Sequence, residues 1–336
     1  MRKYILRRLL LSLIVLMGVV LITFVITRVV PSDPAAKWAG ARATPQQVAA
    51  ARIELGLDKP YPEQFANYVS DLVKGNLGYS LRTRNPVMND LKVFIPATVE
   101  LVLMATLLAL LIGIPLGIYS AKYKNRLFDH VSRFFSIGAV SLPGFWIALA
   151  LQLVFYSYLD LLPLGGRISL EASLIGNIPN ITGFLLFDSL VTGNLAVFQD
   201  AFRHMILPMI TIALYPIGLV ARMTRSAMLE ILGEDFITAE RSYGLSEKLI
   251  LWVYALKNSL GPTSTVVTLS IGYTLMSTFL VESIFNWPGI GKYVSNSIIA
   301  LDYPAIMGVT IFSALCYMAL NLIADLIVSL DPRVRL

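Results

Sequence analysis

The chain is poor in charge. Lys, Arg, Asp and Glu make up 14% of its 336 residues, against 56% hydrophobic ones, where a soluble domain carries roughly a quarter charged residues. So long a chain with so little charge cannot cover itself in water, so an ordinary soluble fold is excluded and the bilayer is the natural solvent. A single cysteine, Cys316, excludes a disulfide framework within the chain. The two histidines, His130 and His204, lie far apart, and no Cys/His cluster has metal-ligand spacing, so no metal site is expected. The net charge of +6 points first to orientation in a membrane rather than to nucleic acid.

Catalytic equipment is missing too. No catalytic constellation emerges, and none of the residues is expected to do chemistry. The run Gly289-Ile290-Gly291-Lys292 has the wrong spacing for a P-loop, and Tyr293 stands where Ser or Thr would be needed. It reads instead as a glycine turn opening a short helix. Secondary transporters and pumps carry ionisable residues inside the membrane, whereas here Glu100, Glu282 and Asp325 fall near span ends, where interfacial or helix-packing roles suit them. Any energy source must therefore lie outside the chain.

What is present is long apolar runs. A spanning helix needs about 20 mostly apolar residues. Six stretches qualify: residues 9–26, 96–121, 134–159, the segment between Arg203 and Arg222, 260–281 and 303–324. A weaker stretch, 174–187, is broken by Asn177, Pro179, Asn180 and Gly183 and reads as a loop or interfacial piece. The basic start, Arg2, Lys3, Arg7 and Arg8, resembles a signal peptide, but the apolar run behind it is longer than a signal's 7–15 residues, so a retained first span is expected. With six spans, the basic clusters at 2–8, 122–133, 222–257 and 333–335 all fall on one side, which is then cytoplasmic, with both termini. Between spans one and two lies an external segment with two amphipathic helical pieces, 45–55 and 60–74, each opened by a proline. The expected layout is an N-terminal span, 1–30; an external cap, 31–95; and a five-helix core, 96–336, with a cytoplasmic loop at 226–262.

The largest internal hydrophilic element runs from 230 to 262. Asp235 can cap or start a helix through Phe236, Ala239 and Glu240, and Gly244 ends it. Ser246-Glu247 starts a second helix through Leu249, Trp252, Val253 and Leu256, which Gly261-Pro262 should close before span five. Helix–Gly–helix on the inner face reads either as a rigid lever or as a surface loop at the headgroups.

At this loop the sequence resembles the permease subunits of binding-protein-dependent ABC importers, the dipeptide/oligopeptide/nickel group. The family motif E-A-A-x-x-x-G is matched by the stretch Asp235, Thr238, Ala239, Glu240, Arg241, Gly244, Leu245 and Ser246, continuing into Ala255-Leu256-Lys257-Asn258-Ser259-Leu260-Gly261-Pro262. The motif's Glu falls on Thr238 and its second Ala on Glu240, so the match rests on helix shape and Gly244. Further matches follow in order: Arg7-Arg8-Leu9-Leu10; Pro31-Ser32-Asp33-Pro34; Leu55-Gly56-Leu57-Asp58; Gly75-Asn76-Leu77-Gly78-Tyr79-Ser80; Ser141-Leu142-Pro143-Gly144-Phe145-Trp146; Arg222-Met223-Thr224-Arg225; Glu282 through Gly291; and the tail from Asp325 through Asp331 to Arg333.

The resemblance implies an all-α integral membrane protein with six transmembrane helices and the type I ABC importer transmembrane-domain (MetI-like) fold, in a bacterial or archaeal cytoplasmic membrane. It implies a second homologous permease as heterodimer partner, two ATP-binding subunits that hold ATP and Mg, and an external solute-binding protein. This chain would hold no cofactor and would import short peptides. The segment Thr238–Gly244 would be the coupling helix. Phe285, Trp287, Pro288, Gly289 and Gly291 would face the binding protein or plug the outer mouth, or else merely connect spans. Pro208, Pro216 and Pro262 would be hinges, or would simply pack. An uncharged path would need no high-affinity site of its own, leaving selectivity to the binding protein. The same machinery carrying a nickel chelate or oligosaccharide, and an ion-coupled transporter or channel, remain the alternatives.

Overall fold

The computed structural model describes residues 2–29, 33–40, 42–175 and 180–329. Among them every regular element is helical, apart from an isolated bridge between Tyr79 and Pro86. Pro31 and Ser32, Asn177 and Pro179, and the tail positions 330–336 lie outside the described residues.

The elements are α1 (Arg2–Val29), α2 (Pro34–Ala39), α3 (Pro45–Glu54), α4 (Tyr61–Val73), α5 (Val87–Lys122), α6 (Leu127–Ser141), α7 (Gly144–Gln152), α8 (Leu170–Ile175), α9 (Leu185–Val191), α10 (Leu195–Ile231), α11 (Asp235–Ser242), α12 (Glu247–Leu249), α13 (Leu256–Ile284), α14 (Ile290–Ala300) and α15 (Tyr303–Ser329). Among the described residues, five helical stretches are long and apolar enough to cross a membrane, and six if the bent pair α6–α7 counts as one span. Helices are the only open-ended way to satisfy the backbone in lipid. α5 and α10 have 36 and 37 residues. At 1.5 Å per residue each is about 55 Å long, well beyond a hydrocarbon core of about 30 Å.

The third span departs from the sequence expectation of one helix over 134–159. α6 and α7 meet at 101°. Pro143 disfavours helical geometry at Leu142, which is extended, and Pro143 itself leaves the helix before Gly144 restarts it. α7 then runs into a π-helical stretch, Leu153–Tyr158. A second correction concerns Gly261-Pro262, which close nothing: the helix from Glu247 continues through a π stretch, Ile250–Ala255, into α13 and on to Ile284. The hydroxyls of Ser264 and Thr265 donate to the Gly261 carbonyl, and Thr263 donates to that of Ser259. Such side-chain bonds let a membrane helix carry a proline.

The chain forms two compact units, residues 1–95 with 292–316, and 96–291 with 317–336. In the first, α1 leaves Leu10, Leu13, Ile14 and Ile22 exposed, a surface suited to lipid. It buries Phe24, whose ring meets Phe65 and Tyr68 of α4 at 5.2 and 6.1 Å. The cap helices start on local chemistry: the Asp33 carboxylate accepts from the first turn of α2, and Thr44 with Gln47 forms a capping box on α3. Asp302 ties the turn at 80–82 by accepting from the N–H groups of Leu81 and Arg82 and from the Ser80 hydroxyl.

In the second unit a core of small and apolar residues runs along α5, α7 and α10, including Ala97, Leu101, Ala105, Ala148, Met205, Leu207 and Ala213. Close helix approach depends on missing side chains: a Cβ on Gly117 would lie 2.5 Å from Thr224 Cβ and 2.8 Å from the Ala221 carbonyl oxygen of α10.

Candidate functional site

Three constructions in the second unit bear on function. The first is the element between α10 and α13. Glu234 stands at the N-cap of α11 without a side-chain bond, and Asp235 is the first helical residue rather than the cap, adding negative charge where the helix dipole favours it. α11 ends where the sequence places its glycine. Gly244 has φ +78°, the Leu245 N–H reaches back to the Glu240 carbonyl at 3.2 Å and the Gly244 N–H to that of Arg241 at 3.0 Å. Left-handed glycine with a bond spanning five residues is a tight helix stop. Ser246 then caps the restart by accepting from the Leu249 N–H. Arg241 Nε donates to Glu247 across the turn at 2.8 Å, but both groups are nearly half exposed, so the pair contributes little.

One side chain fastens α11. Ile237 is fully buried and packs in a cluster with Ile118 and Ala121 of α5, Met228 and Ile231 of α10, and Ile250, Leu251 and Ala255 beyond the turn. The opposite face is open: Asp235, Thr238, Ala239, Arg241, Gly244 and Ser246 are exposed, Glu240 and Leu245 half-buried, and Tyr243 is 85% exposed. A helix pinned by one apolar residue to the ends of two long helices, with a polar outer face, suits docking a partner and passing its motion on.

Close by is a buried ion pair. Arg225 Nε and Nη2 donate to the two oxygens of Asp129 at 2.6 and 2.7 Å. The Ser120 hydroxyl and the Asn125 N–H complete the carboxylate's shell at 2.6 and 2.9 Å. Sequence reading named Arg225 as part of a motif and of a cytoplasmic basic cluster, and missed Asp129.

The third construction is the loop after α13. Phe285 and Trp287 are fully buried, Gly289 and Gly291 buried, and Pro288 half-buried. Trp287 Nε1 donates to the Ala97 carbonyl at 3.0 Å, and the Phe285 carbonyl accepts from the Gly166 N–H at 2.7 Å. The Thr98 hydroxyl donates to Glu282 at 2.6 Å and accepts from the Ile290 N–H at 2.8 Å. A side chain on Gly289 would collide with both the Glu282 carboxylate and the Thr98 hydroxyl. Beside it, Glu100 accepts from Arg167 at 2.6 Å and from the Leu186 N–H at 2.8 Å, and Arg167 lies 5.9 Å from the centre of the Trp287 ring. Sequence reading singled out Glu100 and Glu282 as end-of-span charges; it had no signal for Arg167 or Thr98. Pro208, Pro216 and Pro262 all lie inside uninterrupted helices, the first two buried. Among the described residues no cluster of His, Cys, Asp or Glu could hold a metal ion.

These features define a class: a multi-span helical membrane protein whose longest spans converge on a small helix–glycine element. The chain belongs to the family of binding-protein-dependent transport system inner membrane components, whose model matches residues 113–336, with the family's N-terminal model matching residues 1–102. It is 46% identical over 96% of its length to the probable D,D-dipeptide transport system permease protein DdpB of Escherichia coli, covering 94% of that protein. It is 39% identical over both full lengths to the dipeptide transport system permease protein DppB of Alkalihalophilus pseudofirmus. It is 40% identical to the di/tripeptide transport system permease protein DppB of Pseudomonas aeruginosa, over all of this chain and 99% of that one. A chain of the MetNI methionine ABC transporter in an inward-facing conformation aligns with 70% of this chain and 96% of its own, at 14% identity and a TM-score of 0.48.

Proposed function

We propose that this chain is one of two permease subunits of an ATP-driven importer that moves short peptides, delivered by an external solute-binding protein, across the cytoplasmic membrane. The observation that carries the cargo is similarity along the whole chain to permeases named for dipeptides. ATP and Mg are held by two ATPase subunits on the cytoplasmic side, where both termini and α11 also lie. The exposed face of α11, from Asp235 through Thr238, Ala239 and Arg241 to Gly244, seats on one ATPase. Ile237 passes its displacement to α5 and α10. ATP drives transport only if it binds one global state more tightly than the other.

The segment 31–95 forms the external cap. The loop from Phe285 to Gly291 closes the outer mouth, with Trp287 and Gly289 braced by Ala97, Thr98 and Glu282. Because Phe285 and Trp287 are buried in this chain, the loop acts as a shaped wall, and contact with the binding protein falls to exposed neighbours. Pro208, Pro216 and Pro262 are the positions where α10 and α13 flex.

The test is uptake of labelled dialanine by proteoliposomes holding the two permeases, the ATPases and the binding protein. Uptake is expected only with internal-facing ATP and with the binding protein present. Uptake that ignores ATP and collapses with an ionophore would overturn the reading in favour of ion coupling. ATP-driven uptake of a nickel chelate or an oligosaccharide, with none of peptide, would overturn the cargo alone.

A further inference from the structure

Charge is scarce in this chain, yet one recess in the second unit collects it. A hollow of about 310 Å³ is lined by Tyr156, Asp160, Ser169, Asp200, Arg203 and His204, among others. Its volume sits at the lower end of small-ligand pockets, about 300–1,000 Å³. Arg203 and His204 lie near the start of α10, and Arg203 precedes Ile231 by 28 residues on that helix. That is about 42 Å at 1.5 Å per residue, at the end remote from α11.

The charges divide into spent and available. Asp200 accepts from the Ser169 N–H at 2.7 Å and stands 3.6 Å from buried His204, whose Nδ1 also meets the Asp200 carbonyl at 2.9 Å. Those groups build the frame. Asp160 has no hydrogen bond or ion pair with any described residue and is held at φ +49°. Arg203 spends one N–H on the carbonyl of Leu161, the neighbour of Asp160, at 2.9 Å. Its guanidinium has further donors to offer and, among the described residues, no carboxylate within ion-pairing distance. A free carboxylate and a guanidinium with donors to spare are thus presented together, the arrangement that complements a zwitterion. The guanidinium fork suits a carboxylate and Asp160 suits an ammonium.

We propose that this recess is an entry subsite for the free termini of a short peptide, Arg203 taking the α-carboxylate and Asp160 the α-ammonium. The proposal rests on the peptide reading above. It differs from the expectation that an uncharged path leaves all selectivity to the binding protein: this permease itself favours unblocked peptides.

The test is equilibrium binding of radiolabelled dialanine, its N-acetyl form, its C-terminal amide and the doubly blocked form, to the assembled transporter in nanodiscs without binding protein. The wild type is expected to bind dialanine saturably and the doubly blocked form at least tenfold more weakly. Arg203→Gln should weaken dialanine about tenfold and leave the amide unaffected. Asp160→Asn should weaken dialanine and leave the N-acetyl form unaffected. Both side chains are exposed, so assembly should survive, and size-exclusion profiles check it. Equal binding of blocked and free peptide, or no saturable binding, overturns the subsite. So does a loss of affinity for the binding protein in both variants with peptide binding unchanged, which makes the recess a docking patch. If proteoliposomes with binding protein still import dialanine, the subsite alone has failed; if they import none, the peptide reading has failed with it.

Discussion

Arg225 grips Asp129 through two N–H···O bonds between residues 96 positions apart, with the Asp129 side chain wholly out of contact with solvent. The pair fastens the start of α6 to the last third of α10, one turn before Met228 of the cluster that holds Ile237. Ser120 and Asn125 add bonds to the same carboxylate, so the turn between α5 and α6 is tied to the same point.

Removing one member of such a pair strands the other as an uncompensated buried charge, which costs about 3–5 kcal/mol, while replacing both by apolar groups costs far less. Arg225→Ala should therefore lower the thermal midpoint of the detergent-solubilised complex sharply. Arg225→Met with Asp129→Leu should lie closer to wild type than either single change. A double variant as unstable as Arg225→Ala would show that the pair does not act as a unit.

The loop after α13 has a comparable weak point. Gly289→Ala places a methyl group against the Glu282 carboxylate and the Thr98 hydroxyl. One of the two must move, and a buried acceptor that loses its donor costs about 1–3 kcal/mol. Thr98→Ser keeps the hydroxyl and should be tolerated; Thr98→Val removes it and should destabilise by a similar amount. Protease sensitivity at 285–291, compared across the three variants, reads this directly. Equal resistance in Gly289→Ala and wild type would contradict the brace.

Alkaline pH should act on the first unit through Tyr293. Burial is the chief reason its phenol is held well above the usual tyrosine range, and its hydrogen bond to Asp90 at 2.9 Å adds to it. Its folded pKa is the higher one, so its stabilising contribution is complete below the unfolded value of about 10 and is lost as pH rises through the folded value. Melting curves above pH 10 should therefore fall steeply in wild type and less so in Tyr293→Phe. Identical alkaline slopes would contradict that role.

Much of the fold was legible in the sequence because lipid leaves the backbone few choices. Apolar runs located α1, α5, α10 and α15, and Pro45 and the Gly244 stop marked ends of short helices correctly. The break at Leu142-Pro143-Gly144 was hidden because both arms are apolar, and composition does not report the direction of a chain. Gly261-Pro262 looked like an end because the hydroxyls that support a proline in a helix are ordinary sequence. The buried partners were invisible for a different reason. Glu282 meets Thr98 across 184 positions and Glu100 meets Arg167 across 67, and no local pattern pairs residues so distant. Glu100 and Glu282 could be flagged as misplaced charges, but only the fold supplies what holds them.

On the proposed reading, α11 transmits ATPase motion through its glycine-ended shape. No atom crowds Gly244, so a substitution there acts through the backbone alone. A bulky β-branched residue at φ +78° costs about 1–2 kcal/mol, and Asn tolerates that region best among the alternatives. The decisive measurement is ATP-driven dialanine uptake by the reconstituted complex carrying Gly244→Val, beside Gly244→Asn, each at equal incorporation. Uptake should be lost with Val and largely kept with Asn, while the Val complex still assembles. Wild-type uptake in the Gly244→Val complex would contradict that role for α11.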